Sequence, residues 1–182
     1  MQKIILASNS QTRAMLLQKA GILFEQKSAS FDEESLNILN PSHFVYHATK
    51  GKMNSFLSQY SGDLPVLCAD TVVTSKGKLL RKAKDKEDAR KILQTQSGSV
   101  VSIITCMILK SKTRELIDLS STDYIFKEFD KDKLEEYLNT DEWQGKAGAC
   151  MVEGFCKDYI LEVRGYESTA MGLCIEKLLP YV

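Results

Sequence analysis

An α/β fold is what the sequence predicts, on three observations. A short apolar run opens through a hydroxyl-rich loop into a helix (Lys3 to Gly21), and a strand-length β-branched segment carries an acid inside it (Val66 to Thr74). A nearly unbroken apolar run (Ile103 to Leu109) reads as a central strand buried on both faces. Stretches of helical period lie between them at Pro41 to Tyr60 and Lys86 to Gln96. A chain of 182 residues is long enough for one sizeable core and short for two full domains, so a single domain over 1–182 is expected.

Composition narrows the function classes. Lys plus Arg and Asp plus Glu both number 24, so the formal charge is zero and nucleic acid is not the expected partner. A small anionic ligand is easier to accommodate. The five cysteines (68, 106, 150, 156 and 174) are odd in number, form no Cys-x-x-Cys pair and lie mostly in apolar surroundings. They read as reduced buried thiols, which favours the cytoplasm. The apolar run at Ile4 to Ala7 is too short for a signal peptide, and no stretch approaches the roughly 18 apolar residues of a membrane span.

Taken in order, Lys3 to Ala7 is a strand. Ser8-Asn9-Ser10-Gln11-Thr12-Arg13 is a loop, and the helix to Ala20 has Ser10 or Thr12 as N-cap and Gly21 at its end. Such a loop presents backbone N–H groups and a positive dipole end to which Arg13 adds a full charge, a ready phosphate site; equally, any strand-loop-helix unit needs a Ser or Thr cap. Ile22 to Lys27 is a strand, and Phe31-Asp32-Glu33-Glu34 is an acidic loop. On the helix from Pro41, the residues Phe44, Val45, Ala48, Met53, Phe56 and Leu57 form a buried stripe. His43 and His47 stand i, i+4 on it but have no third ligand nearby, and read as surface or partly buried residues.

Asp70 then sits among Val66, Leu67, Cys68, Ala69, Val72 and Val73, a costly place for a carboxylate unless a metal, a lysine or hydrogen-bond donors compensate it. Ser75-Lys76-Gly77-Lys78 is a hairpin turn that would return Arg81, Lys82 and Lys84 beside it. The other reading is an Asp at a strand end with the lysines on a solvated face. Asp85 caps the next helix, with Ala89, Ile92 and Leu93 inward and Gly98 as the stop. Val100 to Lys110 is the central strand, Arg114 to Phe129 supplies a partner strand or two, and Asp130 to Asn139 is a short capped helix. Gly145-Lys146-Ala147-Gly148-Ala149 is small enough to approach a ligand closely. Tyr159 to Val163 is one more strand, and Thr169 to Leu179 is a closing helix packing Met171, Leu173, Ile175 and Leu178.

Four of these segments together resemble the Maf family: Ile5-Leu6-Ala7-Ser8-Asn9-Ser10-Gln11-Thr12-Arg13, Phe31-Asp32-Glu33, Ala69-Asp70-Thr71-Val72-Val73, and Lys146-Ala147-Gly148-Ala149 with Glu153-Gly154. They occur in the family's order and spacing and cover the chain nearly end to end. The resemblance implies a cytoplasmic, metal-dependent nucleoside triphosphate pyrophosphatase. Its implied fold is related to the inosine triphosphatases: a mixed, twisted sheet flanked by helices on both faces, with the active-site cleft between two lobes. A homodimer is also implied.

In the implied site, a divalent ion (Mg²⁺ or Mn²⁺) is held by Asp70 and Glu33, and Asp70 is the proton acceptor for water attacking the α-phosphorus. Ser8, Ser10, Arg13, Lys52, Thr71 and Lys82 hold the substrate, with Lys50 an alternative to Lys52. Glu153 reads the base. Members acting on thymidine and uridine triphosphates typically carry Gln at that position, and a branch acting on 7-methylguanosine triphosphate carries Glu; Thr71 resembles the former branch, so the base preference stays open. Glu33 could also be a solvated loop acid, and Glu153 a strand-end acid facing solvent. Because the family's name derives from an effect on septum formation, the competing class is a nucleotide-binding regulator without turnover. A carboxylate such as Asp70 amid phosphate oxygens speaks against it unless a cation intervenes.

Overall fold

The computed structural model describes residues 2–150 and 152–182. Among them are seven strands in one mixed sheet, β1 (Ile4–Ala7), β2 (Phe24–Lys27), β3 (Val66–Ser75), β4 (Lys78–Leu80), β5 (Val100–Lys110), β6 (Glu115–Phe126) and β7 (Ile160–Arg164). The strand order is β2-β1-β3-β5-β6-β7, with β4 paired to β3. β1 runs parallel to β2 and to β3, whereas β4 on β3 and β7 on β6 are antiparallel. The helices are α1 (Gln11–Lys19), α2 (Pro41–Leu57), α3 (Lys86–Gln96), α4 (Lys131–Asn139), α5 (Glu167–Ala170) and α6 (Ile175–Leu178). The α/β class is therefore the observed one.

The chain divides into two compact units. The first comprises residues 1–71, 104–121 and 166–182; the second comprises 72–103 and 122–165. The core of the first unit gathers Ile4, Leu6, Leu17, Ile22, Leu67, Met107, Leu173 and Leu178, all essentially inaccessible. Burying a Leu or Ile side chain contributes roughly 1.5–3 kcal/mol, so this cluster fixes the strand ends from which the site residues project. The second unit packs Phe126, Phe129, Tyr137, Phe155 and Tyr159 in ring contacts 4.7–5.6 Å between centroids.

Local chemistry accounts for most boundaries. Ser10 caps α1, its hydroxyl accepting from the Arg13 N–H at 3.3 Å; Asp85 and Asp130 cap α3 and α4 in the same way. Asn40 caps α2, with Pro41 at its first position. The β3–β4 turn is Lys76-Gly77, both at positive φ, the primed hairpin conformation. Within β5 the burial is unbroken from Thr105 to Leu109, as expected of a strand covered on both faces.

Four expectations need correction. The closing helix is two short ones, α5 and α6, because Gly172 at φ +108 breaks the run, and a Cβ there would come within 3.1 Å of Arg13 Nε. The buried stripe of α2 ends short, Phe56 and Leu57 being half-buried, while β6 (Glu115–Phe126) is the partner strand expected between Arg114 and Phe129. The hairpin ladder stops at Val73 opposite Leu80, and Lys82 instead bridges to Ala147. Finally, Cys150 and Cys156 form a disulfide across a separation of 6 residues, so only Cys68, Cys106 and Cys174 are the free, buried thiols foreseen. A Cys-x₅-Cys spacing carries no recognisable sequence pattern, but with Cα atoms 6.5 Å apart the pair lies within bonding reach. No helix among the described residues is long and apolar enough to cross a membrane.

Leu67 is fully buried in β3 three residues before Asp70, whereas Leu39 is 88% exposed. Leu67→Ala should cost about 2–5 kcal/mol and Leu39→Ala within about 0.5 kcal/mol, read as the shift in urea midpoint at constant slope.

Candidate functional site

Ser8, Ser10, Arg13, Glu33, Lys52, Asp70 and Thr71 all belong to the first unit, and most of them line one open pocket of about 340 Å³. Ser8, Ser10 and Arg13 come to it from the β1–α1 loop and helix start, Phe31 and Glu33 from the acidic loop, and Lys52 from α2. Asp70 lies beside it near the middle of β3, 7% exposed.

Asp70 and Glu33 are held together by Lys52. Its ammonium is 3.0 Å from Asp70 Oδ1 and in direct contact with Glu33 Oε1. Lys50, two residues earlier, is exposed, with its ammonium 5.7 Å from the centre of the Tyr46 ring. The α2 register therefore gives the site Lys52. Gly51 has a part in this, since a Cβ there would run into the Phe31 ring, which packs directly on the glycine.

The second oxygen of Asp70, Oδ2, is buried and has no hydrogen-bond partner. Burial pushes the Asp70 pKa up, and although Lys52 and Arg13 pull it down, Glu33 adds to the rise and desolvation prevails. The outcome is a carboxyl with one oxygen spoken for and one uncommitted. A hard divalent cation or the hydrogen of a water is the chemistry that satisfies such an atom, and a carboxylate pair is the donor set that Mg²⁺ and Mn²⁺ take. Asp70 and Glu33 fit that group. Among the described residues no cluster of three or more His, Cys, Asp or Glu stands ready for a metal, and His43 and His47 are both exposed.

Arg13 is anchored differently. Its Nε donates to the Gly172 carbonyl at 3.0 Å, Nη1 to Ser8 Oγ at 3.1 Å and Nη2 to Thr71 Oγ1 at 3.2 Å, all of them neutral acceptors. Burial lowers its pKa, with Asp70 and Glu33 opposing that, yet a guanidinium starts so high that it keeps its charge. Ser8 Oγ also accepts from the Ser10 N–H at 3.2 Å. With both lone pairs so used, the Ser8 hydroxyl hydrogen is the donor that remains for a ligand. Gln26 ties the loop down from β2, donating to the Ser8 carbonyl at 2.7 Å. Sequence patterns gave no hint of Gln26; the register Leu6↔Gln26 across the parallel pair puts it there.

Two residues read from the sequence as ligand-facing belong to the second unit. Lys82 is exposed, with its backbone paired to Ala147, and Glu153 is exposed within the loop that the Cys150–Cys156 bond closes. Gly148 sits at positive φ, its carbonyl accepting from Gln96 Nε2 at 2.5 Å, and the Ala149 carbonyl accepts from Tyr137 Oη at 3.1 Å, so this glycine-rich segment is held by buried polar bonds.

Nearly the whole chain is similar to known proteins. A family model described as "Maf-like protein" matches residues 3–182. A "Nucleoside triphosphate pyrophosphatase" of a Nitratiruptor species is 56% identical over 177 residues, 96% of each chain. Proteins of the same name are 40% identical in Helicobacter pylori, over 97% of this chain and 93% of that one, and 38% identical in Campylobacter jejuni subsp. jejuni, over 98% and 100%.

The raised pKa has a measurable consequence. An acid that holds its proton more tightly when folded contributes stability at low pH that is lost as pH rises through the folded value. Asn cannot ionise, so Asp70→Asn in chelator should melt higher than wild type at pH 7, and the gap should close as pH falls into the ordinary carboxylate range. A gap independent of pH across a thermal-melt series would contradict the assignment.

Proposed function

Since the chain belongs to the Maf-like protein family, we propose that it is a nucleoside triphosphate pyrophosphatase, cleaving a nucleoside triphosphate between the α- and β-phosphorus to give the monophosphate and pyrophosphate. The observation that carries this reading is the unpartnered, buried Oδ2 of Asp70, next to a pocket that Arg13, Lys52 and Glu33 line.

The balance of charge supports a divalent ion. Arg13 and Lys52 are offset by Asp70 and Glu33, so the four formal charges cancel, and a triphosphate with its several negative charges needs a further cation there. Asp70 and Glu33 would hold Mg²⁺ or Mn²⁺, which supplies Lewis-acid stabilisation of charge on the phosphates. Asp70 Oδ2 takes the proton of the attacking water as the new P–O bond forms and the bond to the bridging oxygen breaks, the electron pair leaving with pyrophosphate. Burial raises its pKa, the direction that makes a carboxylate a stronger base, while a bound cation would pull it down. The guanidinium of Arg13 and the hydroxyls of Ser8 and Ser10 bind phosphate oxygens, Lys52 follows the negative charge, and Lys82 is a further cation assigned to the phosphates. The cytoplasm, which holds nucleoside triphosphate pools, is the proposed compartment; the three buried free thiols suit it, and the Cys150–Cys156 disulfide does not.

Glu153 is assigned to the base. A carboxylate only accepts, and guanine offers two adjacent donors, N1–H and the N2 amino group, while uracil and thymine flank one donor with two carbonyl oxygens. A cationic 7-methylguanine gains further from the charge.

Two experiments test these assignments. Purified protein with Mg²⁺ or Mn²⁺, assayed for pyrophosphate release on a panel of ordinary and modified triphosphates, should turn over, and Asp70→Asn should lose about 10²- to 10⁴-fold in kcat while still binding substrate. Binding without release in wild type would leave the non-catalytic regulator standing. In the same panel, Glu153→Gln should shift kcat/KM from 7-methylguanosine and guanosine triphosphates toward uridine and thymidine triphosphates; an unchanged ranking, or a wild type already preferring the pyrimidines, removes Glu153 from base reading.

A further inference from the structure

Thr105 lies in β5, is completely buried, and belongs to none of the segments that resemble the family motifs. Its hydroxyl is 2.9 Å from Thr71 Oγ1 and 2.7 Å from the Thr169 carbonyl oxygen. A hydroxyl has one hydrogen, and a carbonyl oxygen only accepts, so the Thr105 hydrogen is committed to Thr169. Thr71 must then be the donor in the Thr71–Thr105 pair. That leaves Thr71 Oγ1 a pure acceptor on its other side, where the Arg13 Nη2–H approaches at 3.2 Å. Three hydrogen bonds thus run in one direction, from Arg13 to Thr71 to Thr105 to the Thr169 backbone, and every hydrogen in them has a fixed place.

We infer that Thr105 is a positioning residue for phosphate binding: by taking the Thr71 hydrogen it fixes Thr71 as the acceptor that holds the Arg13 guanidinium. The inference rests on the assignment of Arg13 to the triphosphate. Of the five N–H groups of Arg13, one goes to Gly172, one to Ser8 and one to Thr71. One N–H on each terminal nitrogen is left, the pair with which a guanidinium grips two oxygens of a phosphate. It also follows that Thr71 has no hydrogen to give a phosphate oxygen, so its part in substrate binding runs through Arg13. Without the Thr105 hydroxyl, the Thr71 hydrogen loses its acceptor, and the Thr71 side chain is free to leave its rotamer for another one, so the Arg13 guanidinium loses a fixed anchor.

The test reads pyrophosphate binding by calorimetry beside steady-state kinetics. Thr105→Val, of the same shape without the hydroxyl, should weaken pyrophosphate binding and raise KM by about tenfold, with a smaller change in kcat, the size expected for one lost hydrogen bond to a charged group. Thr105→Ser should restore both. In an Arg13→Ala background, Thr105→Val should add no further loss beyond about twofold, because its effect passes through Arg13. Wild-type affinity in Thr105→Val, a Thr105→Ser that behaves like Val, or losses that simply add in the double variant would each overturn the inference. Thr105→Ser and the Arg13→Ala cycle keep the test valid if Thr105→Val melts lower. A wild type that binds pyrophosphate but releases none from any triphosphate fails the enzymatic reading alone, while the calorimetric comparison still decides the role of Thr105.

Discussion

A carboxylate placed inside a β-strand has to be compensated, and the Lys52 ammonium between Asp70 and Glu33 is how this chain does it. The magnitudes make the arrangement informative. At an effective dielectric near 20 a close ion pair is worth about 4 kcal/mol, while withdrawing an ion from water costs several kcal/mol. The two are of the same order, and burial pushes the Asp70 pKa up in spite of Lys52 and Arg13. A lysine on a flexible stem, holding a pair that is close to break-even, can yield its place to another cation and follow a ligand's charge at little cost. Phe31 packs on Gly51 in the same place, one residue before Lys52 on α2 and two before Glu33 in the loop.

Much of this is legible in the sequence. Asp70 stands out because an acid in a run of Val, Leu, Cys and Ala contradicts the burial of its neighbours, and the hydroxyl loop before Arg13 stands out because Ser10 has a helix to cap. The α/β class follows from periodicity, which is the strongest signal a single chain carries. Lys50 and Lys52 cannot be told apart, because two residues on a helix differ by about 200° in direction and only the packed register says which faces inward. The hairpin is legible from Lys76-Gly77 but its length is not, and the break between α5 and α6 is hidden because a single glycine, Gly172, inside an apolar helical period looks tolerable until its positive φ is seen.

What stays illegible shares one cause. Gln26, Thr105, the Gly172 carbonyl and the Cys150–Cys156 bond all act through partners 6 to 159 residues away. Charge and hydropathy leave a mark on the local pattern; a neutral hydrogen bond to a distant backbone carbonyl leaves none. A threonine in a β-branched run reads simply as a good strand former, and its hydroxyl acquires meaning only when β5 sets it beside Thr71.

The two buried charges of the site are therefore held in opposite ways, and the difference bears on how an anion would be received. Asp70 is balanced by the ammonium of a flexible side chain, so its environment would change if a ligand drew Lys52 away. Arg13 is balanced by neutral acceptors on the β1–α1 loop, β3 and the Gly172 turn. Preorganised donors of the second kind cost no reorganisation when charge develops near them, whereas a group of the first kind can change its affinity for a proton as the reaction proceeds. A fixed cation to hold the phosphates and an adjustable carboxylate to move a proton is a division of labour that suits the hydrolysis proposed for this chain. In this chain a single strand, β3, supplies a residue to each: Asp70 on one side and, adjacent to it, Thr71 on the other.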